Sequence, residues 1–237
     1  MARLPRIVAV NTAHHVTQRG NARQSILSGD AERMVYLELL QENLKLYQVS
    51  LLGYCLMSNH VHLIVVPHEA AALATALKQT HGRYASYWNA AHNSSGHVWQ
   101  GRFYSCPLDT AHLWIALRYT ELNPQRAKLV TEAAAWTWSS AAAHSALRQP
   151  PAWLDMEIWS ERWSAESWRE FLASSEPDDQ LTAIRQCTHS GRPLGTPDFV
   201  HSLEKVALRR LAPEKGGRRR NRPAEPDPRQ KVITFDH

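Results

Sequence analysis

The chain has 237 residues, 43% of them hydrophobic, with three cysteines and a formal net charge of +5. That length can bury the core of one large domain, or of one domain with an extension, and the apolar content excludes a disordered chain. Cys55, Cys106 and Cys187 are scattered and lack Cys-x-x-Cys spacing, which excludes a disulfide framework or a zinc knuckle and points to a reducing compartment. No apolar run approaches a membrane span and the N-terminus carries no signal-peptide core, so a soluble, cytoplasmic protein is expected. The basic excess points to a polyanionic partner, nucleic acid before others.

Residues 1–10 carry little signal. His14 to Arg19 reads as a strand, stopped by the turn dipeptide Gly20-Asn21. Asp30 is an expected N-cap for a helix over 31–47, with Met34, Leu37, Leu40, Leu44 and Tyr47 at spacings of three and four. The stretch 51–66, LLGYCLMSNHVHLIVV, is strand-forming on both sides of a Ser58-Asn59 turn and reads as a hairpin. Its second strand opens with His60 and His62. Residues two apart share a strand face, so the two imidazoles point the same way, about 7 Å apart along the backbone. The spacing suits a metal or phosphate site, and equally two polar residues on the wet face of a half-exposed strand.

A second helix is expected over 70–90, with Leu73, Leu77, Tyr84, Tyr87 and Trp88 as its apolar pattern. The segment HVWQGRFY at 97–104 interleaves aromatics with an arginine around a glycine. It suits a loop that meets phosphates and stacks a base, or an ordinary edge strand. Asp109 is an expected N-cap for a third helix reaching Leu122, with Leu113, Trp114, Leu117 and Thr120 facing the core. Tyr119 and Asn123 are four apart and lie one above the other. Asn123-Pro124 would end that helix and start the next, with Asn123 as N-cap. The order strand, helix, strand, strand, helix is that of an α+β sandwich, an antiparallel sheet with packed helices.

Six tryptophans between Trp136 and Trp168 mark a change of character. Trp159 with Trp163, and Trp168 with Phe171 and Leu172, have helical spacing and read as contacts of a helical C-terminal extension docked on the first domain. A break at 174–179, a GRPLG loop at 191–195 and a helix over 197–211 follow. From Glu214 the chain is rich in Arg and Lys among glycines and prolines, which reads as a disordered basic tail. The domain reading is 1–135, 136–213 and 214–237.

Five blocks in one order, HVTQRGN, LMSNHVHLIV, GHVWQGRF, RYTELNPQRAKLV and WSS, together resemble the single-tyrosine HUH transposases, and most closely the branch associated with repetitive extragenic palindromes (REP). The resemblance covers roughly residues 14–140, and the GRPLG block is similar to C-terminal regions of that branch. It implies a ferredoxin-like α+β domain with a central antiparallel sheet, in which two histidines hold a divalent cation beside a helical tyrosine. That tyrosine attacks single-stranded DNA, leaving a 5′-phosphotyrosine and a free 3′-hydroxyl. Position by position, His60 and His62 match the metal pair, Tyr119 the nucleophile and Asn123 the polar residue that completes the metal site. Thr120 stands where isoleucine is common and Gln125 where valine is common, and neither touches the chemistry.

Two imidazoles and an amide oxygen leave open positions on Mg²⁺ or Mn²⁺ for phosphate oxygen. Imidazoles suit zinc as well, but the absence of cysteine ligands and the phosphoryl chemistry favour the former, and a cation favours an ionised phenol. Covalent attack conserves the bond energy, so a 3′-hydroxyl can reverse the step without ATP. Arg19, Arg102, Arg118 and Arg126 lie in the matched blocks as candidate phosphate contacts. Tyr84, Tyr87 and Tyr104 are rival nucleophiles. The expected partner is single-stranded DNA with a hairpin, bound by a monomer or a homodimer. The alternatives are a catalytically silent hairpin-binding protein and a metal-dependent nuclease that uses water.

Overall fold

A computed structural model describes residues 7–211. The expected basic tail lies outside the described residues. Four strands, β1 (His14–Arg19), β2 (Val49–Leu56), β3 (His60–Pro67) and β4 (Tyr104–Pro107), form one sheet in the order β2-β3-β1-β4. Every neighbouring pair is antiparallel. Helix α1 (Asp30–Leu46) connects β1 to β2, and α2 (Ala72–Ala91) follows β3. This is the α+β sandwich that the element order predicts, in the split βαβ arrangement of the ferredoxin-like fold that the resemblance implies.

Helix α1 begins one residue earlier than the sequence suggests. Gly29, not Asp30, is its N-cap, and the Glu32 carboxylate accepts from the Gly29 N–H (2.8 Å) and the Ser28 hydroxyl (2.9 Å). The side chain three residues on thus reaches back to the cap, which a glycine cannot serve with a side chain of its own.

Strand alternation divides the sheet into two unlike faces. Val16, Val61, Leu63 and Val65 pack on Tyr36, Leu40, Leu44, Leu73, Leu77 and Tyr84 of α1 and α2. The other face is covered by α3 (Thr110–Glu121), which packs on β2 and β3, and by α8 (Asp178–Ser190), which packs on β4. Between them come α4 (Asn123–Arg126), α5 (Ala141–His144), α6 (Glu157–Arg162) and α7 (Ala165–Ala173); α9 (Pro197–Ala207) follows α8. The Asp109 carboxylate caps α3 by accepting from the His112 N–H at 2.9 Å, as expected. Helix α9 ends at Ala207, short of the expected 211, where Leu208 turns left-handed.

The tryptophan-rich extension contributes to the core of that second face. Trp168 is fully buried with Trp114, Trp159 and Leu117 in one cluster, and Trp163 stacks on Phe171 at 4.9 Å. Helix α3 approaches the sheet most closely at Gly53, where an added Cβ would meet Leu117 Cδ1. Gly53→Ala is expected to cost about 1–3 kcal/mol by overpacking, read as a lower urea midpoint with an unchanged slope.

One polar group is buried in this apolar layer. The Glu121 carboxylate is fully buried and accepts from the Ser140 hydroxyl (2.6 Å), His144 Nδ1 (2.5 Å) and Trp168 Nε1 (2.9 Å). It thereby joins the end of α3 to three later segments. Glu121→Gln places an NH2 where an oxygen now accepts, leaving a buried donor unpaired. A loss of about 1–3 kcal/mol in chemical denaturation is expected.

Candidate active site

The register of the sheet gathers the histidines. In β1 and β3, Thr17 lies opposite His62 and Arg19 opposite His60; in β4, Tyr104 lies opposite Thr17. His15, Thr17 and Arg19 therefore share one face with His60, His62 and Tyr104, at the end not filled by Leu113, Trp114 and Leu117. The open end is a cleft lined also by Arg23 and Gln100, by Tyr119 and Asn123 beside α3, and by Arg185, Thr188 and His189 from α8.

Tyr119 closes the inner wall. Its ring stands edge-on to both His15 and His62, with centroids 5.7 Å from each. The Arg126 guanidinium lies over the ring at 4.2 Å and that of Arg185 at 5.9 Å. The rings of His60 and His62 are 5.0 Å apart. His60 Nδ1 is 2.6 Å from Asn59 Oδ1, and His62 Nδ1 is 2.9 Å from His15 Nε2. Both Nδ1 atoms are occupied, so Nε2 is the atom each ring can offer to a cation.

Asn123 does not serve as the expected N-cap. Its amide nitrogen donates to the carbonyls of Tyr119 (3.0 Å) and Thr120 (3.2 Å), and Leu122 holds the cap position of α4. The side chain closes the end of α3 and commits its nitrogen there. Its oxygen is the end that can turn to a cation. Two imidazoles and an amide oxygen can together hold a divalent ion and leave positions for outside ligands. Among the described residues no group of three or more His, Cys, Asp or Glu side chains is placed to hold a metal ion.

Burial keeps these rings neutral. It lowers His14 to about 4, His15 to about 3 and His60 to about 4, with the Arg126 charge adding at His15 and the Arg19 charge at His60. His62 is driven well below the ordinary value, first by burial and then by His60 and His15. A neutral ring presents a lone pair without first losing a proton.

The structure separates the arginines predicted from the sequence. Arg19 lines the cleft opposite His60. Arg102 is exposed and lies outside the residues that line the cleft. Arg118 is 4% exposed; it donates to the carbonyls of Ser174 and Ser175 and lies over Phe171 at 4.7 Å. That corrects its expected place on a phosphate, because the guanidinium is spent on the extension. Arg126 forms a two-pronged ion pair with Glu176 (2.8 and 3.0 Å) and donates to the Tyr119 carbonyl, so it too holds the nucleophile candidate instead of facing the cleft.

Of the rival tyrosines, Tyr84 is fully buried on the opposite face with its hydroxyl donating to the Ile26 carbonyl, and Tyr87 packs beside it. Tyr104 does line the cleft, stacked on His189 at 4.9 Å. Trp99 and Phe103, two aromatics of the 97–104 segment, are buried core residues, and Trp99 Nε1 donates to the His81 carbonyl. Sequence reasoning missed His15 and the α8 residues. Alternation along His15, Thr17 and Arg19 could have found the first; nothing local marks the others.

The model of the family described as "Transposase IS200 like" matches residues 9–123. That span resembles the IS200-like transposases, and it holds His60, His62, Tyr119 and Asn123. A solved structure of a REP-associated tyrosine transposase bound to a REP hairpin is similar in fold, with a TM-score of 0.51 at 16% identity, over 67% of this chain and 93% of that one. A candidate transposase from Deinococcus radiodurans aligns at 14% identity and a TM-score of 0.35, over 54% of this chain and 92% of that one. No curated protein matches the chain.

The depressed histidines set a pH window. The unfolded chain takes up protons near the ordinary value of 6.5, while the folded rings resist until about pH 4. Stability present above pH 6.5 is therefore lost progressively as pH falls towards 4. Thermal unfolding at fixed ionic strength, with a chelator present, is expected to show a midpoint that is level above pH 7 and falls steadily through that window.

Proposed function

We propose that the transposase domain cleaves and rejoins single-stranded DNA beside a hairpin, with Tyr119 as nucleophile and with His60, His62 and Asn123 as ligands of Mg²⁺ or Mn²⁺. The observation that carries this reading is the Tyr119 ring, set edge-on against His62 at 5.7 Å in a cleft bordered by arginines. The family match over residues 9–123 supports the transposase class. The solved REP-associated transposase, which holds a REP hairpin, supports a hairpin as the partner.

In the reaction the phenolic oxygen attacks phosphorus and gives up its proton. An oxygen–phosphorus bond forms, the bond to the 3′-oxygen breaks, and that oxygen leaves with a proton as a free 3′-hydroxyl. The product is a 5′-phosphotyrosine, which a 3′-hydroxyl reverses or redirects. A bound divalent ion would neutralise charge on the phosphate oxygens. The side chains supply the rest. Arg126 over the ring and the helix end closed by Asn123 hold Tyr119 in place. Arg19, Arg23 and Arg185 border the path of the phosphates. Tyr119 and both histidines come from one chain, which supports a monomer able to act in cis.

The test is incubation with labelled hairpin DNA and Mg²⁺ or Mn²⁺, resolved on a denaturing gel. The native chain is expected to give a covalent band, and Tyr119→Phe is expected to lose it while binding the hairpin within about twofold, since one hydroxyl is removed and the ring kept. Tyr104→Phe is expected to keep the band. Cleavage that survives in Tyr119→Phe would move the nucleophile to Tyr104 or water, and binding without any covalent band would favour a hairpin-binding protein.

A further inference from the structure

The histidine pair does not end at His62. His62 Nδ1 faces His15 Nε2 at 2.9 Å, and His15 Nδ1 faces the hydroxyl of Thr188 at 2.8 Å. The two rings are near-parallel, with an interplanar angle of 9° and centroids 5.2 Å apart, as an in-plane contact between ring nitrogens requires. His15 is 1% exposed and Thr188 4%. Thr188 belongs to α8 of the extension, and Arg185 and His189 sit three before and one after it on the side that faces the cleft.

We propose that His15 and Thr188 are positioning residues that fix the tautomer of His62, which makes the C-terminal extension part of the metal site. The inference rests on His62 as a ligand, proposed above. Two neutral imidazoles in a row carry one N–H each, so their protons are coupled. When Thr188 accepts from His15 Nδ1–H, His15 Nε2 is a lone pair that accepts from His62 Nδ1–H. His62 Nε2 is then free for a cation. Without an acceptor at 188, His15 Nδ1–H would be buried and unpaired, a cost that shifts its proton to Nε2. His15 then donates to His62 Nδ1, the His62 proton moves to Nε2, and the ligand atom is blocked. Residues outside the transposase domain thereby decide whether a ligand inside it is available.

The variants are Thr188→Val, which keeps the shape and removes the acceptor, and Thr188→Ser, which restores it. Two readouts are made on the full chain: Mn²⁺ affinity by titration, and the His62 tautomer in the metal-free protein from long-range ¹H–¹⁵N correlation spectra. The native chain is expected to show Nδ1–H at His62. Thr188→Val is expected to show Nε2–H and to bind Mn²⁺ roughly 10- to 100-fold more weakly, with Thr188→Ser close to the native chain in both. A folded Thr188→Val with native tautomer and native affinity overturns the proposal. Native-level Mn²⁺ affinity in His62→Ala would instead remove His62 from the metal site. The tautomer readout still decides the relay in that case, because it needs no metal.

Discussion

The carboxyl group of Glu121 is the interaction on which the layer around Tyr119 depends. It is fully buried two residues after Tyr119, and a polar group so placed is costly unless its oxygens are hydrogen-bonded. Its three donors come from Ser140, His144 and Trp168, which lie far along the chain in segments that otherwise have little reason to meet. Ser140 in turn accepts from the Tyr54 N–H at 3.0 Å, so the same group connects helix α3 to strand β2. The helix that carries Tyr119 is thus tied down by satisfying one buried polar group two residues further on.

The sheet behaves as a partition. Its α1/α2 face is an apolar core with little chemistry, and two aromatic rings of the 97–104 segment, Trp99 and Phe103, are used there as packing. The other face carries the conflict between burial and polarity: hydrogen-bonded imidazoles, a tyrosine and paired guanidiniums, all partly withdrawn from water. Such a face can be kept only if something covers it, and the C-terminal helices do so. Arg118 and Arg126 show the cost in usable charge, since both are held by residues 174–176.

What was legible in the sequence was local. Helices α1, α2 and α3 follow from apolar spacing to within two residues, Asp109 caps as its side chain predicts, and strand alternation brings His60 and His62 to one side. The spacing of Tyr119 and Asn123 shows that they are neighbours. It does not show which end of the Asn123 amide is engaged, because that depends on carbonyls left open by the helix end. His15 joins the site through the pairing of β1 with β3, a contact across 47 positions. Thr188 joins it across 173. Local pattern has no access to such distances, and the same holds for the ion pair that removes Arg126 from the cleft.

The extension also runs along both borders of the sheet. Beside β2, Ser140 and Asp155 donate backbone N–H groups to Tyr54 and Leu51, and Leu56 donates to Trp138. Beside β4, Leu194 donates to Pro107 and accepts from Asp109. The rows of unpaired amides and carbonyls that border strands normally offer a neighbouring copy are already taken at these positions. A second molecule cannot extend this sheet by adding a strand there, which makes the cover over the histidine face a guard against aggregation as well.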